Sequence, residues 1–174
     1  FSHAVNGRLG TVGILGNHDY GENWQQQKVA DDITLILENS GVRILSNEVT
    51  EINGLHIIGL DDYWGLKFNP KDILSKHNPE LANLVLCHNP DVCDLNVWSN
   101  YKGWILAGHT HGGQVKPPFL NPLIVPVKNK NYTAGEIDLH DGRTLYINRA
   151  LGNLWQVRFN VRPEITIFQL AEKI

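Results

Sequence analysis

Short apolar runs alternate with polar, glycine-marked stretches along this chain, and three of the runs end in histidine-bearing loops. Residues 12–15, 84–86 and 105–107 each read as a buried strand. They feed Gly16-Asn17-His18-Asp19, Cys87-His88-Asn89-Pro90-Asp91 and Gly108-His109-Thr110-His111-Gly112-Gly113. Between the first two, Val29, Ile33, Ile36 and Leu37 fall at helical spacing and predict a helix over 24–39, closed by Ser40 with Gly41 as its C′ residue. Residues 42–45, 49–52 and 55–60 predict three strands, with Asn53-Gly54 as a hairpin turn between the last two. A loop over 61–65, a short helix over 71–77 and one helical turn over 91–95 follow. Four prolines make 116–126 an ordered, irregular loop, because proline removes backbone donors. A second hairpin joins 134–139 to 144–148 around Asp141-Gly142, and alternation in 164–170 predicts a last strand closing the sheet. Hairpins mixed with crossovers imply a mixed sheet, or two packed sheets, flanked by helices.

Length and composition narrow the function classes. A chain of 174 residues suits one domain. A net charge of −3 and no basic run give no nucleic-acid footprint. A chelated cation still lets a mildly acidic protein take an anionic substrate. Cys87 and Cys93 make no disulfide framework. Cys87 precedes His88 on a strand, so it faces the other way and reads as a buried apolar filler. Cys93 reads as a free thiol on the short helical turn. No apolar stretch approaches the roughly 18 residues that span a bilayer, and no signal peptide opens the chain. The chain begins at Phe1 and contains no methionine, so the natural protein is expected to continue upstream.

The three loops carry the candidate chemistry. If their strands share a sheet, Asn17, His88, His109 and His111 converge beyond the strand ends. Neutral imidazoles with an amide oxygen suit a divalent transition metal. In the first loop, Asn17 offers its carbonyl oxygen, while His18 points elsewhere, near the metal but not on it. Asp19 is placed to hydrogen-bond His18 and raise its basicity, so that His18 can protonate a leaving oxygen. The bland alternative is a polar turn with an Asx cap. A lone His88 is by itself more often a hydrogen-bonded loop residue. On extended backbone, His109 and His111 would point their rings the same way, suiting one metal or two adjacent ones. Arg149 reads first as a salt-bridge residue and second as a phosphate contact. Asp61 and Asp62 read as surface or capping carboxylates rather than site residues.

These motifs, in this order, resemble the calcineurin-like metallophosphoesterases. That family runs Asp-x-His, Gly-Asp-x-x-Asp, Gly-Asn-His-Asp/Glu, a lone His and Gly-His-x-His. The wider wording resembles one bacterial branch of phosphodiesterases and UDP-2,3-diacylglucosamine pyrophosphatases. It includes Leu60-Asp61-Asp62, His88-Asn89-Pro90-Asp91, the stretch from Gly108 through Gln114-Val115, and Pro163-Glu164-Ile165-Thr166. The resemblance covers nearly all the chain. It implies an α/β fold, an αββα sandwich of mixed β-sheets flanked by helices (the metallo-dependent phosphatase fold), with residues 1–174 forming one domain. It implies Asn17, His88 and His109 on one metal, His111 on the other, His18 as acid or transition-state stabiliser, and Asp19 orienting it. The implied reaction is hydrolysis of a phosphodiester or pyrophosphate bond, in which two divalent ions (Mn, Fe, Zn or Ni) polarise the phosphoryl group and supply the attacking hydroxide. Implied partners are a small phosphorylated substrate, such as a nucleotide-linked lipid, and no nucleic acid. The implied location is the cytoplasm or the periphery of the cytoplasmic membrane, with any N-terminal anchor outside this chain.

The first two family motifs are missing. Asp138-Leu139-His140 has the right letters but runs into the Asp141-Gly142 turn and follows the other motifs, so it is rejected. The expectation is that the N-terminal portion of the domain is absent and that these residues are its C-terminal two-thirds. On that reading the chain itself holds one metal or none, and an exposed sheet edge favours self-association. The rival reading is a non-catalytic module that binds at most one metal and acts through a partner. A nuclease is a weaker third, since no basic or aromatic stripe is present.

Overall fold

The computed structural model describes residues 7–122, 124–153 and 156–171. Among these residues eight strands are present: β1 (Val12–Gly13), β2 (Arg43–Ile44), β3 (Glu48–Ile52), β4 (Leu55–Gly59), β5 (Ala82–Leu86), β6 (Gly103–Ala107), β7 (Gly135–Asp138) and β8 (Arg143–Ile147). Two α-helices, α1 (Gln27–Asn39) and α2 (Pro70–Leu74), and short 3-10 turns connect them. A six-stranded mixed sheet runs in the order β3-β4-β5-β6-β8-β7. Its four central strands are parallel, and an antiparallel strand sits at each edge. β1 and β2 form a separate parallel pair. The chain just past β2 comes close to β4 of the main sheet: a Cβ added to Gly59 would lie 2.2 Å from the Leu45 Cβ. This is the α/β architecture expected, a mixed sheet flanked by helices.

Alternation within the strands builds the core. Ile58, Val85, Ile105 and Leu145 are register partners on four successive strands, and each is fully buried at 0% exposure. Each such side chain contributes about 1.5–3 kcal/mol through burial. A smaller cluster of Leu15, Tyr20, Ala30 and Ile44 packs α1 against the β1–β2 pair.

Parallel pairing positions the functional loops. β5 and β6 run side by side, with Leu86 opposite Leu106. The ladder continues past both strands, where the Cys87 N–H donates to the Leu106 carbonyl and the Gly108 N–H to the His88 carbonyl, each at 3.0 Å. The second and third histidine loops therefore leave the same sheet edge in fixed register.

Two expectations about elements need correction. The first helix begins at Gln27, not Trp24, because Gly21, Asn23 and Trp24 all have positive φ and form a separate 3-10 turn. Residues 164–170 form no strand. The position beside β8 is already taken by β7, and the segment instead lies across the sheet face that carries Trp104 and Tyr146. Phe168 packs edge-on against both rings. Tyr146 and Arg149 hold Glu164, while Ile167 stays 91% exposed. Burial pushes the Glu164 carboxyl up, but hydrogen bonds from Tyr146, Thr166 and Arg149 outweigh it and bring the pKa to about 2. The turns at Asn53-Gly54 and Gly41 form as expected, all with positive φ. The proline-rich loop is irregular over its described residues, 116–122 and 124–126; Leu123 lies outside them.

Candidate metal centre

Three side chains from three different strand ends meet at one point. Asn17 opens the 3-10 turn Asn17–Tyr20 that follows β1. His88 follows β5 and His109 follows β6. Asn17 Oδ1 lies 3.0 Å from His88 Nε2 and 3.2 Å from His109 Nδ1. The two ring nitrogens are 3.2 Å apart. Asn17 and His109 are buried, and His88 is half-buried.

The donor set fits a divalent cation. His109 Nε2 donates to the Pro126 carbonyl at 2.9 Å, which leaves the lone pair of the neutral ring on Nδ1, facing the cluster. Asn17 Oδ1 also turns lone pairs inward. Such atoms repel unless a proton or a cation lies among them. Bonds of about 2.1 Å to nitrogen or oxygen place neighbouring ligands roughly 3 Å apart, the spacing found here. Burial, then the nearby His109, His111 and His18 rings, lowers the His88 pKa to about 3. Burial lowers His109 and His111 as well. Neutral imidazole is the form that ligates.

Gly16 is required by space rather than by an unusual backbone angle. Its φ of −110° is ordinary, but a Cβ there would lie 2.6 Å from the Cε1 and Nδ1 atoms of His88. Gly16→Ala therefore displaces the His88 ring. The expected result is a 10–100-fold loss of Mn²⁺ affinity by isothermal titration calorimetry, the size seen when ligand-supporting contacts are lost.

His18 and His111 share a cavity of about 610 Å³ with Asn17 and His109, but the structure bonds them differently from expectation. The Asp19 carboxylate turns back to accept the Gly16 N–H at 2.8 Å, closing the turn instead of engaging His18. His109 and His111 do not sit on extended backbone. Their φ values are 65° and 51°, because the chain coils into the 3-10 turn His111–Gly113. Thr110 holds that turn by accepting the Gly112 N–H and donating to the Thr133 carbonyl. His111 Nδ1 lies 3.1 Å from the Gly152 carbonyl. The rings therefore diverge, with His109 in the buried cluster and His111 on the cavity wall.

Aromatic and aliphatic side chains complete the wall. Trp64 meets the His109 ring edge-on at 4.7 Å, and Trp24 stacks on Trp64 at 4.5 Å. Ile124, Pro126 and Val157 line the same space. Asp61 and Asp62 are not surface carboxylates, being only 3% and 1% exposed. Asp61 accepts from Tyr20 and Ser46, and Asp62 accepts the Trp64 N–H, so the pair anchors the tryptophan loop. Burial is the main cause that pushes the Asp62 pKa up to about 6.

Of the remaining candidates, Arg149 pairs with Glu164, the salt-bridge reading. Cys87 and Cys93 are buried free thiols. Asp138 and His140 pair at 3.3 Å on the exposed hairpin, away from the cluster. Sequence reasoning missed Trp24, Trp64 and the Pro126 carbonyl. A ligating imidazole needs an outer partner for its second nitrogen, which signals that some acceptor exists but not which one. Among the described residues, no three His, Cys, Asp or Glu side chains form a metal-holding group without help; here the third donor is the Asn17 amide.

In this α/β fold an amide from the β1–β2 pair and two imidazoles from the main sheet gather beyond strand ends, the arrangement of a candidate metal centre. Comparison with known proteins gives the family. No protein-family model matches the chain, and no solved structure matches it. Phosphodiesterase YaeI of Escherichia coli is 31% identical over 167 residues, covering 92% of this chain and 58% of the relative. UDP-2,3-diacylglucosamine pyrophosphatase LpxG of Chlamydia muridarum is 30% identical over 162 residues, covering 88% of this chain and 49% of the relative. The uncharacterized metallophosphoesterase YkuE of Bacillus subtilis is 33% identical over 172 residues, covering 95% of this chain and 58% of the relative. The chain belongs to the metallophosphoesterases. It spans about half the length of these relatives.

Proposed function

We propose that this chain carries metal-holding residues of the active centre of a metal-dependent hydrolase of phosphodiester or pyrophosphate bonds. The observation that carries the proposal is the inward-facing triad of Asn17 Oδ1, His88 Nε2 and His109 Nδ1, each 3.0–3.2 Å from the next. These three would hold one divalent ion, and His111, on the adjoining wall, would contribute to a second. Such ions act as Lewis acids on a phosphoryl oxygen.

The chain's own residues do the rest. Pro126 fixes the His109 ring through Nε2, and Gly16 leaves room for His88. His18, exposed at the cavity and adjacent to Asn17, is placed to protonate the leaving oxygen. The tryptophan wall excludes water from one side and offers an apolar surface to the substrate. That surface supports a substrate with an apolar portion, and the LpxG relative is named for a nucleotide-linked lipid. A cytoplasmic site, or one at the face of the cytoplasmic membrane, belongs to the same proposal; among the described residues no helix is long and apolar enough to cross a membrane.

A second reading is a centre that binds one cation without turnover. The absence of any carboxylate from the triad favours it. Hydrolysis of bis(p-nitrophenyl) phosphate separates the two. Turnover that requires Mn²⁺ and stops with a chelator supports the hydrolase. Mn²⁺ binding without turnover supports the second reading, and no binding overturns both.

A further inference from the structure

Asp91 is a buried carboxylate that the proposed reaction does not use. It lies in the 3-10 turn Pro90–Asp94, three residues beyond His88. Its own N–H is taken by Asn89 Oδ1 at 2.9 Å. Both oxygens are spent on a distant segment: Oδ2 accepts the Lys128 N–H at 2.7 Å, and Oδ1 accepts the Asn129 N–H at 3.0 Å. Two residues before Lys128 is Pro126, whose carbonyl receives His109 Nε2 at 2.9 Å. Proline cannot donate, so a ladder bond from its own nitrogen cannot hold that carbonyl in place.

We infer that Asp91 is a positioning residue for the metal centre. It pins the 126–129 segment so that the Pro126 carbonyl selects the Nε2–H tautomer of His109 and turns Nδ1 toward Asn17 and His88. One short turn thereby serves two ligands. It carries His88 at its entrance and, through Asp91, fixes the ring of His109 from the far side. A buried carboxylate accepting two backbone amides makes a stiff, charge-assisted clamp. It also places a negative charge behind the ring that faces the cation, and carboxylates and carbonyls behind ligating histidines are the usual means of setting ring orientation.

Asp94, in the same turn, reaches this segment through the Asn129 side chain alone and does not hold its backbone. It accepts from the side chains of Tyr132 and Asn129 and from no backbone amide of the 126–129 segment.

The inference rests on reading His109 as a metal ligand, and the experiment separates the two. Long-range ¹H–¹⁵N spectra of the metal-free protein at neutral pH report the His109 tautomer, and Mn²⁺ titration calorimetry reports affinity. In the parent protein His109 is expected as the Nε2–H tautomer alone. In Asp91→Ala a tautomer mixture is expected, with affinity lowered 10–100-fold. Asp91→Asn retains one acceptor and is expected between the two; it decides the matter if Asp91→Ala does not fold. Asp94→Ala is expected to leave both readouts unchanged. An unchanged tautomer and affinity in folded Asp91→Ala overturns the inference, as does an equal loss in Asp94→Ala. His109→Ala with unaltered Mn²⁺ affinity would defeat the metal-centre reading instead, while the tautomer spectra would still test Asp91.

Discussion

His88→Ala and His109→Ala each lower Mn²⁺ affinity by more than roughly 100-fold, beyond the 10–100-fold effect typical of outer contacts. The reason is geometric. Three donor atoms face one point, and each is 3.0–3.2 Å from the other two. Removing one imidazole leaves a single ring and an amide oxygen, and a neutral amide is a weak ligand for a transition ion. Burial magnifies the effect. The site is partly closed to water, so a replacement ligand enters less readily than it would on an open surface. The two variants differ in what else they disturb. His88→Ala empties space against Gly16 and relieves a ring that burial strongly disfavours in its charged form. His109→Ala also releases the Pro126 carbonyl and removes the edge contact with Trp64. Calorimetric titration with Mn²⁺, alongside a thermal melt, checks both. Unchanged affinity in either variant removes that residue from the ligand set.

His18→Ala produces the opposite pattern, with metal content unchanged and turnover lowered about 10²–10⁴-fold, the contribution of a general acid. His18 sits next to Asn17 in the chain but outside the triad. It lines the cavity and lies edge-on to Trp24 at 6.4 Å. A group that donates a proton to the leaving oxygen affects kcat and leaves the ground-state site intact. The contrast grows with the basicity of the leaving group: a p-nitrophenolate needs little protonation, whereas an alkoxide needs it fully. Steady-state kinetics on both kinds of ester, with elemental analysis of the variant, test this. Parallel loss of metal and turnover would place His18 among the ligands and end the acid role.

The strand-end placement of the three histidine loops was legible because buried parallel strands read as short continuous apolar runs, and 84–86 and 105–107 are such runs. Gly41 and Asn53-Gly54 were legible because few residues tolerate positive φ. Periodicity says nothing about which strand is a neighbour, and residues 164–170 show this: the alternation is real, but the segment crosses a sheet face instead of joining the ladder. The conformation of His109-Thr110-His111 was hidden for a related reason. Non-glycine residues seldom take positive φ, yet here two histidines do, held by the Thr110 hydroxyl and the glycines that follow. Asp19 was misassigned because a carboxylate beside a histidine can equally close its own turn, and the Gly16 amide is nearer. Contacts made across long sequence separations were invisible altogether. Trp64 on His109, Pro126 on His109 and Asp91 on the 128–129 amides depend on tertiary placement. Family membership was legible because the loops that carry the chemistry hold their residues in a fixed order.

Asn17, His88 and His109 are proposed to hold a divalent cation, and its position in a crystal decides the matter. Anomalous X-ray scattering from crystals soaked in Mn²⁺ locates the ion. A peak is expected among Asn17 Oδ1, His88 Nε2 and His109 Nδ1, at about 2.1 Å from each, together with its loss in His109→Ala. Anomalous density only elsewhere on the molecule, or none at saturating Mn²⁺, would contradict that ligand set.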